Sequence, residues 1–389
     1  MRIMHVCRAP EMLVNFMIPV MKEQIRQGHY VCVCVSVHKD LCMTGSQALS
    51  CSKIKDAGVD VYTHSLERSI NPINILKAIY QIRSLLKEHA IDAAICHSVL
   101  GSVAGRIGAW LAGVRHRIYF CHGLACAPGQ HKLSWSLKYG MERFMAMFTT
   151  GMLVMNRYDY LLSESKNFVR QEQLFMTFGM GVDVMEYDVS GSAKAKGEVY
   201  RELGVSLDKK MVICVARLIA QKGVGYYVSA AIEICSQRED VCFILVGNGP
   251  LMSHLDCSVA EAGLEGQVQL LGWRDDVARL SKAADIFVLP SYYPEGLSVA
   301  VLEAMASGKA VITTNNRGCE DAVKNNVTGL VIPMRNLPKL VKSITTLLDD
   351  SQLCKSLGEK ARSHVWDKYT LEHCTQVIVS CLNKSIKSK

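Results

Sequence analysis

No long apolar run, no paired-cysteine motif and no block of like charge occurs in this chain, and each absence closes off a class of protein. The stretch that comes nearest to a membrane span, FMAMFTTGMLVM at 144–155, is too short to cross a bilayer. The sixteen cysteines contain no C-x-x-C, and Cys32 and Cys34 would point to opposite faces of a strand. Structural zinc and dithiol redox chemistry are therefore not expected. Cys32, Cys34, Cys96, Cys121, Cys214 and Cys242 lie in or beside short apolar runs, where cysteine behaves as a small hydrophobe. A G-x-G-x-x-G is missing too, so no dinucleotide fingerprint is present. Nine prolines and 28 glycines exclude collagen-like and low-complexity chains.

What is present is an ordinary globular composition, 49% hydrophobic and 21% charged. At 389 residues the chain is long enough for two domains. The 44 basic and 36 acidic residues leave a net charge of +8. Up to residue 190 there are 20 basic and 15 acidic residues, and beyond it 24 and 21. No arm or stripe concentrates the excess, which argues against nucleic acid as a partner. A mildly basic first half suits an anionic substrate or an anionic membrane surface. The opening MRIMHVC reads as a strand rather than a secretion signal, so a reducing, cytoplasmic setting is expected. The sequons at Asn326 and Asn383 then carry no glycan.

Short apolar runs alternate with helical patterns, which predicts an α/β chain with parallel sheets. In the first half the expected strands are 2–7, 30–37, 92–98, 116–123 and 151–156. Helices are expected in FMIPVMKEQIRQG and in NPINILKAIYQIRSLLKEHA. In the second of these, Ile75, Ile79, Ile82 and Leu86 share one face, behind an Asn71 cap and Pro72. The pattern lapses over 176–190, and the polar stretch GSAKAKGEVYRELG after it reads as a linker. Alternation restarts near Lys209, with strands expected at 209–218, 241–249, 267–273, 284–291, 309–315 and 329–333. Two doubly wound domains with a cleft between them follow, 1–180 and 190–370, with 371–389 returning to the first.

The chemistry concentrates in the loops after the second set of strands. In ADIFVLPSYYPEGLSVAVLEAMASGKAVITTN, Glu295-Gly296 is expected to open a helix whose amino end would accept a phosphate. Glu295 and Glu303, eight apart on one helix, would be separated by about 80° and about 12 Å, too far for one acid/base pair. They suit the two ends of an elongated polar ligand. In VARLIAQKGV, Arg217 and Lys222 would neutralise a diphosphate. The glycine turn VGNGP at 246–250 and LGWRDDV at 271–277 are weaker signals, and His122 follows the strand RIYFC.

Together R-L-x-x-x-K-G at 217–223, VGNGP, LGWRDDV and the two glutamates of PEGLSVAVLEAMASGKAVI resemble glycosyltransferase family 4. These are retaining enzymes of the GT-B fold that use nucleotide-sugars. PEMLVNFMIPVMKEQIRQGHYV, SINPINILKAIYQIRSLLKEHAIDAAICHS, YFCHG and N-R-G-C-E at 316–320 are similar to a subgroup that builds bacterial surface polysaccharides on lipid diphosphate. The loop CRAPEML departs from the family's Gly-Gly loop, so no phosphate role is carried over to it.

The resemblance implies a role for each matching residue. Arg217 and Lys222 would bind the diphosphate, Glu303 the ribose hydroxyls, and Glu295 with the amides of Gly296 and Leu297 the donor sugar and distal phosphate. Gly247 would line the donor site, and Trp273, Arg274 and Asp275 would sit beside the base. His122 would face the donor sugar and the reacting bond. The implied donor is a UDP-sugar and the implied acceptor a lipid-diphosphate-linked saccharide, with no metal and no other cofactor. Lys132, Lys138 and Arg143 among the apolar residues of 131–148 suit either a helix resting on the cytoplasmic face of the inner membrane or an ordinary amphipathic core helix. Two rivals remain open: an inactive GT-B-like assembly module, and a sugar-nucleotide epimerase on the same fold.

Overall fold

A computed structural model describes residues 1–36, 46–66, 71–126 and 130–387. The chain divides into two compact units, one of Met1–Gly181 with Leu371–Lys389 and one of Val182–Thr370. Val37, the last residue of the expected strand 30–37, lies outside the described residues.

In the first unit β1 (Arg2–Cys7), β2 (Tyr30–Ser36), β3 (Asp60–His64), β4 (Ala93–His97), β5 (His116–Cys121), β6 (Gly151–Val154) and β7 (Leu174–Met176) form one sheet. All pairs are parallel, in the order β3-β2-β1-β4-β5-β6-β7. The connecting helices are α1 (Pro10–Phe16), α2 (Ile18–Arg26), α3 (Ser46–Asp56), α4 (Pro72–Glu88), α5 (Val99–Ala112), α6 (Lys132–Ala146) and α7 (Arg157–Ser165). With helices on both faces, the central strands are buried throughout, which is why YVCVCVS reads as an unbroken apolar run. Asn71 caps α4 by accepting from the Ile73 amide, and Ile79, Ile82 and Leu86 are buried beneath that helix. The strands missing from the sequence reading are β3 and β7. The first is an edge strand with a single buried residue, His64, and the second, LFM, is an apolar run of only three residues.

The second unit begins with α8 (Ser192–Glu202), so GSAKAKGEVYRELG is a helix and not a linker. Lys194 is exposed and Lys196 pairs with Asp285 at 3.2 Å, while Ala195, Val199 and Tyr200 are buried. The sheet contains β8 (Lys210–Val215), β9 (Val241–Val246), β10 (Val268–Gly272), β11 (Ile286–Leu289), β12 (Ala310–Thr314) and β13 (Leu330–Ile332). It too is parallel, in the order β10-β9-β8-β11-β12-β13. Around it lie α9 (Val224–Cys235), α10 (Met252–Glu261), α11 (Val277–Ala283), α12 (Val299–Ala306), α13 (Leu337–Asp349) and α14 (Ser351–Lys368). The last helix, α15 (Leu371–Lys387), belongs to the first unit, where Cys374, Ile378, Cys381 and Leu382 are buried. Among the described residues the cysteines are free, and most are buried.

Strand order reverses between β1 and β4 in the first sheet and between β8 and β11 in the second. At such a point the two loops leave toward opposite faces and uncover the carboxyl edge of the sheet, the usual place for a ligand. Near the first sheet, α6 is fastened from within. Glu142 meets Arg106 of α5 at 3.8 Å, with both side chains 3% exposed, and the guanidinium lies 4.0 Å over the Tyr119 ring. Removing one partner of a buried pair strands the other charge. Glu142→Ala is accordingly expected to lower unfolding stability by about 3 kcal/mol in urea denaturation.

Candidate functional site

The loops after β8, β9, β11 and β12 lock together at the carboxyl edge of the second sheet. Gly223 has a φ of 71°, and a Cβ there would stand 2.0 Å from the Pro290 carbonyl oxygen. A Cβ on Gly247 would stand 1.9 Å from the Ala216 oxygen. Across the same edge the Tyr292 amide donates to the Gln221 carbonyl at 3.0 Å, and the Leu218 amide to that of Asn248 at 3.0 Å. The Glu295 and Ser298 amides donate to the carbonyls of Arg317 and Gly318, at 3.0 and 3.2 Å.

That last pairing corrects the expected helix boundary. Glu295 and Gly296 lie in a loop strapped to 317–318, and α12 starts at Val299, after an extended Ser298. Glu295 and Glu303 therefore do not share a helix, and the helical spacing between them does not apply. The Ser298 side chain makes no capping bond, so the first-turn amides of α12 keep their donor capacity. The Leu297 amide likewise has no hydrogen bond among the described residues.

Within this frame the Lys222 ammonium, at the end of a short 3-10 turn (Ala220–Lys222), meets the Glu295 carboxylate at 2.8 Å. The side chains are 20% and 13% exposed. The other Glu295 oxygen, Oε1, is buried and has no hydrogen bond among the described residues. Arg217 stands on the same loop as Lys222, exposed and without an ion pair among the described residues. Glu303 on α12 is half-buried, and burial lifts its carboxyl to about 7 while the Tyr187 hydroxyl interacts with it. Trp273 is exposed and its indole donates to Asp275 at 3.1 Å. Arg274 is held by Glu202 and Asp276 at 2.8 Å each.

In the first unit His122 follows β5, stacked on Phe120 with ring centres 4.8 Å apart. It is linked to two further histidines. His97 Nδ1 lies 3.1 Å from His122 Nε2, and His97 Nε2 lies 3.0 Å from His5 Nδ1. His5 Nε2 lies 2.9 Å from Gln24 Oε1 on α2. Sheet register explains the line. His5 pairs with Ile95 and His97 with Phe120, so each histidine stands two residues further along the neighbouring strand, on the same face.

Sequence comparison identifies the chain. The family described as Glycosyl transferases group 1 matches residues 196–364, and Glycosyl transferase 4-like matches residues 26–156. The UDP-Gal:alpha-D-GlcNAc-diphosphoundecaprenol alpha-1,3-galactosyltransferase of Escherichia coli is 30% identical over 296 residues, which is 75% of this chain and 75% of that protein. The chain belongs to glycosyltransferase family 4. The N,N'-diacetylbacillosaminyl-diphospho-undecaprenol alpha-1,3-N-acetylgalactosaminyltransferase of Campylobacter jejuni is 27% identical over 318 residues, 79% of this chain and 82% of that one. Anabaena HepE, solved with UDP and glucose, superposes with a TM-score of 0.80 at 18% identity, covering 98% of this chain and 99% of that one. The fold is GT-B.

For this glycosyltransferase the structure brings Lys222 and Glu295 into contact and sets Gly247, Leu297 and the start of α12 at the same edge of the sheet. Arg274 is committed elsewhere. Sequence reasoning missed Tyr187, His5, His97 and Gln24. The histidines did leave a signal, since MHVC, ICHS and YFCHG each put one near the end of a strand.

Burial lowers His5, His64 and His122 to about 4, and His97 falls well below its ordinary value. As pH drops from 6.5 toward 4, the unfolded chain binds protons on these four that the folded chain refuses. Glu303, lifted to about 7, works in the opposite sense, as do Glu142 and Glu320, which burial also raises, but His29 and His364 are lowered as well and leave the histidines in the majority. Urea midpoints are expected to be lower near pH 5 than near pH 7.

Proposed function

We propose that this enzyme moves a hexose or N-acetylhexosamine from a UDP-sugar, with retention, to a saccharide carried on a lipid diphosphate. The observation that carries the reading is the Lys222–Glu295 pair at the strand reversal of the second sheet, beside an uncapped helix start. The Escherichia coli and Campylobacter jejuni relatives, whose names state diphosphoundecaprenol-linked acceptors, support the acceptor class.

In this reading Lys222, the exposed Arg217 and the amides of Leu297 and α12 take the diphosphate. Breaking the anomeric bond puts charge on the leaving group, and fixed donors held ready for that charge lower the barrier. The bare Glu295 oxygen takes a hydroxyl of the donor sugar, since a carboxylate accepts hydrogen bonds and would repel phosphate. Glu303 takes the ribose hydroxyls, whose donation draws its carboxyl back toward the ionised form. Trp273 and Asp275 flank the base, and His122 meets the saccharide. These residues supply the needed charge without a metal ion. Lys222→Ala is expected to cut kcat by about 10²–10³ and to lower the urea midpoint somewhat, since it strands the Glu295 carboxylate, while Arg217→Ala is expected to cut kcat by about tenfold or more with little change in midpoint. Near wild-type transfer from a UDP-sugar panel in both variants would remove the diphosphate assignment.

The acceptor reading places the enzyme against the cytoplasmic face of the inner membrane. Among the described residues no helix is long and apolar enough to cross a bilayer. On α6 the inner face is packed through Glu142 and Met145, while Leu133, Leu137, Phe144 and, one residue past its end, Met147 are exposed. These four fall within about 40° of one line along the helix axis. Lys132 and Arg143 border one side of the stripe, a pairing of apolar and basic residues that suits an anionic lipid surface. Sedimentation with phosphatidylglycerol vesicles is expected for the wild type and is expected to be lost in Leu137→Glu/Phe144→Glu. A wild type that stays in the supernatant excludes the membrane contact.

A further inference from the structure

The line of histidines in the first unit has a direction. Burial keeps the three rings uncharged, and no carboxylate contributes to their protonation balance. A neutral imidazole carries one N–H and one lone pair, so each nitrogen–nitrogen contact holds a single proton. Whatever the inner end of the chain dictates is therefore passed ring by ring to the outer end.

The inner end is Gln24, fully buried, whose Oε1 faces His5 Nε2 at 2.9 Å. With this oxygen toward the ring, and Gln24 Nε2 left buried without a hydrogen bond among the described residues, His5 Nε2 carries the proton and His5 Nδ1 the lone pair. That lone pair accepts from His97 Nε2–H, and His97 Nδ1 in turn accepts from His122 Nε2–H. His122 is left with a bare Nδ1, which makes no hydrogen bond among the described residues. His5 and His97 are fully buried, and His122 is the ring of the three that keeps an exposed edge.

We propose that Gln24, His5 and His97 are positioning residues that lock His122 in its Nε2–H tautomer, making Nδ1 a dedicated acceptor for one saccharide hydroxyl. The last clause rests on the reading that His122 meets the saccharide, whereas the lock does not. A fixed lone pair accepts from a hydroxyl, gains no hydrogen bond from a deoxy position, and is repelled by an acceptor-only oxygen. The device is therefore selective for a ligand that can donate at that point. Turning the Gln24 amide over would reverse every N–H in the line and make Nδ1 a donor.

Imidazole ¹⁵N spectra of the full chain at neutral pH test the lock, with His122 assigned by its loss in His122→Phe. The expected result is a protonated Nε2 and a bare Nδ1 on all three rings. His97→Asn keeps an oxygen where His97 Nδ1 stood, so it is expected to retain both the His122 tautomer and turnover within about threefold. His97→Leu is expected to give mixed His122 tautomers and about a tenfold loss in kcat. Should His97→Leu fail to fold, Gln24→Leu cuts the line at its origin and is expected to mix the tautomers in the same way. A His122 protonated at Nδ1, or a tautomer unmoved by His97→Leu, overturns the lock while leaving the transferase reading intact. A locked tautomer with turnover indifferent to His122→Phe overturns the saccharide contact instead.

Discussion

Lys222 and Glu295 sit on loops that leave adjacent strands β8 and β11 at the point where the order of the second sheet reverses. Holding those loops together is a problem of close backbone approach before it is one of charge. Gly223 lies against Pro290, Gly247 against Ala216, and 295–298 is paired to 317–318. The ion pair occupies the frame so formed. A half-desolvated pair of this kind adds little net stability, because much of the attraction offsets the loss of water. In the proposed reading its value is positional: the ammonium is fixed before any ligand arrives, so little ordering remains to be done when the leaving group charges up.

The first unit uses the same topological opening with different chemistry. Its strand order reverses between β1 and β4, the strands that carry His5 and His97. Where the second unit gathers formal charge, the first gathers neutral rings whose protons are ordered by a single amide. Both arrangements follow from parallel pairing, which brings residues from distant parts of the chain to one edge with a fixed step between neighbours.

Much of this was legible in the sequence, and the rest was hidden for identifiable reasons. Central strands such as VCFILV and YVCVCVS announce themselves because both faces are buried. The α8 segment was mistaken for a linker because its buried residues, Ala195, Val199 and Tyr200, are few among lysines and glycine. That Glu295 and Glu303 follow β11 was legible, but the start of α12 was not. The amides of Glu295 and Ser298 are taken by a loop some twenty residues further on, a long-range pairing that no local pattern displays. Arg274 looked available for the same reason in reverse, since its partner Glu202 lies on α8. The histidine line needed sheet register, which sequence does not supply.

The return of α15 to the first unit bears on how the protein is made. Its buried face covers β6, and Cys381 lies so close to Gly151 that a Cβ there would be 3.1 Å from the sulfur. Yet this helix leaves the ribosome only after the whole of 182–370 has been synthesised. At 5–20 residues per second that is a delay of roughly ten to forty seconds. Throughout it the nascent amino-terminal unit must persist with one apolar flank uncovered, a window in which a chaperone has something to hold.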